Sequence, residues 1–180
     1  MSRVGKKPVS IPQGVRVALA GASLSVEGPK GKLLFSVPPE IKVAVEKDRV
    51  VVTRGSDLKT VRQKHGMVRS VISNMVTGVT AGFQRTLEVQ GVGYKVEKQG
   101  EDKLAFTIGY SHPVIFALPP GIKASIEKNV RLTITGADKH ALGQVAANIR
   151  AIKHADPYKL KGIKYAEERI KQKVGKTGAA

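Results

Sequence analysis

The sequence predicts an α+β fold of two tandem copies of one module, each an antiparallel β-sheet packed with one main α-helix, plus a basic C-terminal extension. Three observations predict it. Residues 38–72 and 119–152 share ten identical positions at a constant offset of 81, among them Pro38/Pro119, Lys42/Lys123, Gly55/Gly136, Gln63/Gln144 and Arg69/Arg150. Each copy passes from short alternating segments into one stretch of 3.6-residue periodicity. The 180 residues divide into two small domains, each long enough to bury a core. Upstream, residues 24–28 match 87–91 at an offset of 63, which makes the second copy eighteen residues longer.

In the first copy, residues 15–17, 24–26, 33–37, 41–46 and 50–53 read as strands between Gly, Pro and charged turns. Residues 57–77 read as a helix, with Leu58, Val61, Val68, Val71, Ile72 and Met75 on its apolar side. Ser56 or Asp57 is the expected cap and Gly78 the expected stop. Lys59, Arg62 and Arg69 form a neighbouring stripe, expected to be solvated.

The second copy repeats this order, with strands at 85–89, 94–98, 103–109, 114–118, 122–127 and 131–135 and a helix at 138–153. Leu142, Val145, Ala146, Ile149 and Ile152 form its apolar face, and Gly143, Ala146 and Ala147 leave room for close approach to the sheet. The expected divisions are an N-terminal domain at 1–82, a C-terminal domain at 83–152 and the extension at 153–180, with the joint at 78–82.

Thirty-one Lys and Arg against fourteen Asp and Glu give a formal charge of +17. A chain so charged seeks a polyanion. Cysteine is absent, which excludes disulfides, thiolate nucleophiles and zinc sites built on sulfur. The basic N-terminal run is broken by Pro8 and Pro12 and lacks the apolar stretch of a signal peptide. No segment approaches the ~18 apolar residues of a membrane span, so a cytoplasmic or organelle-matrix setting is expected.

Residues 153–176 carry eight Lys or Arg against three acids and too few large aliphatics for a core of their own. Tyr158 and Tyr165 stand among Lys159, Lys161 and Lys164, around Gly162. Cations neutralise phosphates and planar rings stack on bases or sugars, so this mixture suits irregular RNA. The competing reading is a solvated extension whose tyrosines dock back on the domain. If the tail binds RNA, residues 158–176 are expected to order along it.

The run Ala155-Asp156-Pro157-Tyr158-Lys159-Leu160-Lys161-Gly162-Ile163-Lys164-Tyr165 resembles the C-terminal signature of large-subunit ribosomal protein six, the L-six family. Gly91-Val92-Gly93-Tyr94, Gly109-Tyr110-Ser111-His112-Pro113 and residues 143–150 resemble its second domain, and Met1 to Gly5 with Pro8 and Pro12 resemble its start. Two positions depart from the commonest pattern, Ala155 where the family often has proline and Leu160 where it usually has glycine. The resemblance implies two small α+β domains and no catalysis or cofactor. It also implies RNA contact by the second, near the sarcin/ricin loop of large-subunit ribosomal RNA and beside the docking site of translation GTPases, among neighbouring ribosomal proteins. The residues expected to carry that contact are Gly91, Gly93 and Tyr94, Ser111 and His112, and Lys153. From the extension come Tyr158, Lys159, Lys161, Gly162, Lys164, Tyr165, Arg169, Lys171, Lys173 and Lys176.

Enzyme readings fare poorly. Gly175-Lys176-Thr177 mimics the end of a phosphate-binding loop, but Ile170 stands where that motif needs its first glycine and no helix can follow. Gly91-Val92-Gly93 lacks the third glycine of a dinucleotide site and suits a bulge. His65, His112, His140 and His154 have no metal-ligand spacing, so no metal is expected. His112, before Pro113, either bonds a phosphate or fixes the turn. No carboxylate pair supports acid–base chemistry, and a small-molecule substrate has no evident site. A ribosomal RNA-binding subunit is preferred over a general nucleic-acid chaperone. A membrane-surface binder comes third, because the tail has no bulky apolar anchors at helical spacing.

Overall fold

The computed structural model describes residues 5–176; Met1 to Val4 of the resemblance and Thr177 lie outside them. The chain divides into two compact units, the first running through Phe83 and including Ala137–Lys139, the second taking Gln84–Gly136 and the chain from His140 on.

The first unit contains β1 (Val9–Ser10), β2 (Arg16–Ala20), β3 (Ser23–Gly28), β4 (Gly31–Ser36), β5 (Ile41–Val45), β6 (Arg49–Arg54) and α1 (Lys59–Thr80). Its strands split between two antiparallel sheets, β1-β6-β5 and β2-β3-β4. Alternation along β3 and β6 sends Leu24, Val26, Val50 and Val52 inward, where they meet Val68, Ile72 and Val79 of α1. His65 is also in this core, 3% exposed. Its Nε2 lies 2.9 Å from the Val52 carbonyl oxygen, so burial leaves that polar atom satisfied.

The helix differs from expectation at both ends. The residue before it is Leu58, exposed and with no side-chain cap. The Asp57 carboxylate is taken by Arg54, whose Nε donates to it at 2.7 Å. Gly78 lies buried inside α1 rather than stopping it. Arg69 is not merely solvated: its guanidinium donates to the carbonyls of Lys7 and Pro8 at 3.1 and 3.5 Å.

Apart from the first residues of β7 and α2, Phe83 and Lys139, which fall in the first unit, the second unit contains β7 (Phe83–Gln90), β8 (Lys95–Gln99), β9 (Lys103–Thr107), β10 (Val114–Ala117), β11 (Ile122–Glu127), β12 (Arg131–Gly136), α2 (Lys139–Ile152) and β13 (Gly162–Tyr165). Its sheets are β10-β9-β8 and β11-β12-β7-β13. Leu87, Leu104, Phe106, Leu132, Ile134, Ile149 and Ile163 are all fully buried. Ala146 packs inward as expected, but Ala147 is exposed and Gly143 faces open space, so neither brings the helix closer to the sheet.

Topology corrects the match of residues 24–28 with 87–91. β3 and β9 are both middle strands, and Leu24 faces Phe35 in one sheet as Leu104 faces Phe116 in the other. β7 lies instead beside β12, as β1 lies beside β6. The duplication therefore keeps nearly one offset, and no eighteen-residue enlargement precedes the helix. Alternating aliphatic residues are too generic a pattern to fix register alone. What the second unit adds is β13, whose four residues pair antiparallel with β7. The extension thus supplies a strand to the body of the unit rather than waiting for RNA to order all of it.

Candidate nucleic-acid interface

Three segments of the second unit meet where β7 ends: the turn after β7, the loop after β9 and the chain leaving α2. Gly91 has φ +150, and a side chain there would come within 2.6 Å of the Tyr94 ring, so glycine is required for the turn to close under that ring. The Tyr94 amide completes the turn by donating to the Gly91 carbonyl at 3.1 Å. Gly93 and Val92 stand out at its tip, Val92 with 92% of its surface exposed.

Lys153 joins the segments. It sits just beyond α2, at the repeat position held in the first copy by the core residue Ile72. Its Nζ donates to the Ile108 carbonyl at 2.7 Å and lies 5.0 and 4.8 Å from the ring centroids of Tyr94 and Tyr110. The Tyr110 hydroxyl donates to the Ile152 carbonyl at 3.0 Å. A carbonyl and two π faces therefore take up the ammonium. Lys153 builds the site by fixing both loops against the helix end. Ser111 and His112 follow Tyr110 and are exposed beside it.

The tail leaves this point in an ordered turn. The Asp156 carboxylate accepts from the amides of Tyr158 and Lys159 at 3.2 and 3.1 Å, and the Leu160 amide donates to the Asp156 carbonyl at 2.8 Å. Leu160 takes φ +58, a conformation costly for a branched side chain and free for the glycine usual in the resembled signature. Gly162 is buried at φ +141, and a Cβ there would lie 2.6 Å from both the Ala155 Cα and the His154 carbonyl oxygen. It is a packing position. β13 then places Gly162 opposite Gln90, next to the Gly91 turn.

The expected RNA-binding side chains separate into two groups. Tyr158, Lys159, Lys161, Arg169, Lys171, Lys173 and Lys176 are exposed. Lys164 and Tyr165 are half-buried on β13, the Lys164 Nζ 3.6 Å from a Glu88 carboxylate oxygen and the Tyr165 ring 5.8 Å beneath the Arg150 guanidinium. Arg150 also grips Glu168 with two hydrogen bonds, 2.8 and 2.5 Å. That grip holds the Glu168 carboxyl below the usual carboxylate range, against the opposing effect of its burial.

Sequence reasoning missed Tyr110, Arg150 and Glu168. Tyr110 was legible, adjoining Ser111 in a quoted motif; the Arg150–Glu168 pairing bridges eighteen residues and carries no local signal. Among the described residues, no group of three or more His, Asp or Glu could hold a metal ion, and no helix is long and apolar enough to cross a membrane. The site offers cations, rings and backbone turns, the chemistry of phosphate and sugar recognition.

A family model described as ribosomal protein L6 matches residues 11–82 and 90–166. Among curated proteins, the chain is 50% identical over 181 residues to the large ribosomal subunit protein uL6 of Anaeromyxobacter sp. (strain Fw109-5), covering 100% of both chains. It is 49% identical to the protein of that name from Trichlorobacter lovleyi and 47% identical to that from Synechocystis sp., with 99% of each chain covered.

Proposed function

This chain belongs to the ribosomal protein L6 family, and on that premise we propose that it is a structural, non-catalytic constituent of the large subunit in the cytoplasmic ribosome. It binds large-subunit ribosomal RNA through the loop-and-tail end of its second unit, near the sarcin/ricin loop, among neighbouring ribosomal proteins and beside the docking site of translation GTPases. The observation that carries the binding face is the exposed set Lys159, Lys161, Arg169, Lys171 and Lys173, none of which makes an ion pair with Asp or Glu among the described residues.

A-form RNA hides its major groove, so side chains reach phosphates, 2′-hydroxyls and unstacked bases. Five exposed cations neutralise phosphates while Tyr158, 51% exposed beside them, is available to stack. The turns at Gly91–Tyr94 and Ser111–His112 present backbone amides and short polar side chains at the same end. The unit acts as a preformed platform, which lowers the ordering cost of binding.

Sedimentation of tagged chain from a lysate at low and high salt, followed by footprinting of the accompanying RNA, tests this reading. Co-migration with the large subunit and protection beside the sarcin/ricin loop is the expected result. Spread over unrelated RNA or DNA would sink it in favour of a general nucleic-acid chaperone.

A further inference from the structure

Glu168 is an acid inside the most basic stretch of a chain whose proposed partner is a polyanion. Electrostatics alone makes it a liability, since its charge repels phosphate. Its geometry gives it another task. The carboxylate accepts both arms of Arg150, at 2.8 Å from Nε and 2.5 Å from Nη2, and its Oε2 also accepts the Tyr165 amide at 3.2 Å. The side chains of Arg150 and Glu168 are 31% and 24% exposed, so water screens the pair only in part. Arg150 Nη1 further lies 3.0 Å from His154 Nδ1, at the start of the tail.

The residues after Glu168 run back along the first tail turn. The Lys173 amide donates to the Pro157 carbonyl at 3.0 Å, and Gln172 Nε2 to the Tyr158 carbonyl at 3.3 Å. Tyr158 and Lys159 are thereby laid beside Lys171 and Lys173. Past β13, where the chain leaves the sheet, Glu168 is the point at which this returning segment is fastened to α2.

We propose that Arg150 and Glu168 form a latch that holds the returning cationic segment in its RNA-competent arrangement, Glu168 acting as a positioning residue rather than as a contact. The latch rests on the RNA-binding reading above. When it opens, only a fraction of the population presents the cations together, and apparent affinity falls by that fraction.

The sign of one substitution separates latch from liability. Glu168→Gln removes a negative charge, so simple electrostatics demands tighter binding to RNA; the latch demands weaker binding, by about tenfold if a charge-assisted bond is lost. Binding of the full chain to a transcript of the large-subunit ribosomal RNA, across a salt series, is the measurement. Glu168→Gln is expected to weaken binding with the salt slope unchanged, and Arg150→Lys, which keeps the charge but loses the fork, to weaken it likewise. Glu167→Gln, at a side chain 89% exposed, is expected to cause no weakening. Glu168→Gln binding as tightly as the wild type, or tighter, would overturn the proposal. Should circular dichroism find that variant unfolded, Arg150→Lys decides by the same criterion. Should the wild-type chain show no preference for this RNA, the RNA-binding reading fails separately. Hydrogen exchange of the Tyr165 and Lys173 amides in the free chain then decides the latch: loss of protection in Glu168→Gln supports it and unchanged protection refutes it.

Discussion

Arg69 and Arg150 hold the same position in the two copies and tie down different things. Arg69 in α1 reaches two backbone carbonyls, of Lys7 and Pro8, and so fixes the segment leading into β1. Arg150 in α2 reaches a carboxylate, of Glu168, and so fixes the segment that follows β13. Three residues further on, the first copy has Ile72, fully buried, and the second has Lys153, whose ammonium binds a carbonyl and two rings. The scaffold sets where a side chain leaves the helix; the segment it meets sets its role. The first unit closes on an apolar core, whereas the second carries a polar, ring-lined corner beside an added strand.

That contrast can be broken most sharply at β13. Ile163 is fully buried, so Ile163→Ala should cost about 2–4 kcal/mol in denaturant unfolding, with hydrogen exchange placing the loss in the second unit. A cost within experimental error would mean that the tail strand is not part of the core. Lys153→Met keeps much of the stem and removes the ammonium; the orphaned Ile108 carbonyl and the lost ring contacts should cost about 1–2 kcal/mol. Because that ammonium is engaged internally, the salt slope of RNA binding should hardly move in this variant.

Acidification should separate the units. The Glu168 pKa is lowered in the folded chain, chiefly by Arg150. Its contribution is therefore complete above the ordinary carboxylate range and is lost as pH falls through the lowered folded value. Protection of the Tyr165 amide, measured by NMR as its exchange relative to the intrinsic rate at each pH, should fall over that window, and Glu168→Gln should abolish that pH-dependent loss of protection. Glu40 and Asp57 of the first unit are lowered too, by Lys64 and Arg54, so its own acid response should survive the substitution. The smallest effect expected is at Leu160. A leucine-to-glycine change normally destabilises, but relief of φ +58 should make Leu160→Gly neutral to stabilising by roughly 0.5 kcal/mol in thermal unfolding.

The repeat, the strand periodicities and the two helices were legible in the sequence because alternation and 3.6-residue spacing are local signals. Helix ends were less so: Asp57 has the chemistry of a cap, but Arg54, three residues away, competes for its carboxylate. β13 was hidden because Gly162-Ile163-Lys164-Tyr165 is short and set among lysines, and only pairing with β7 makes it a strand. The candidate site was legible as composition and resemblance. Its internal division was not, since Lys153 and Lys164 read like any other tail cation until Ile108 and Glu88 are seen to engage them.

The most direct test of that division is the salt dependence of binding to large-subunit ribosomal RNA. If about six phosphates are neutralised, log affinity should fall with log salt at a slope of about −4 to −5. Replacing the exposed Lys159, Lys161 and Lys171 by alanine together should flatten that slope by about 2–3 units, whereas Lys164→Ala, removing a cation held beside Glu88, should leave it nearly unchanged. A wild-type complex insensitive to salt, or a Lys164 effect equal to that of each exposed lysine, would contradict the account.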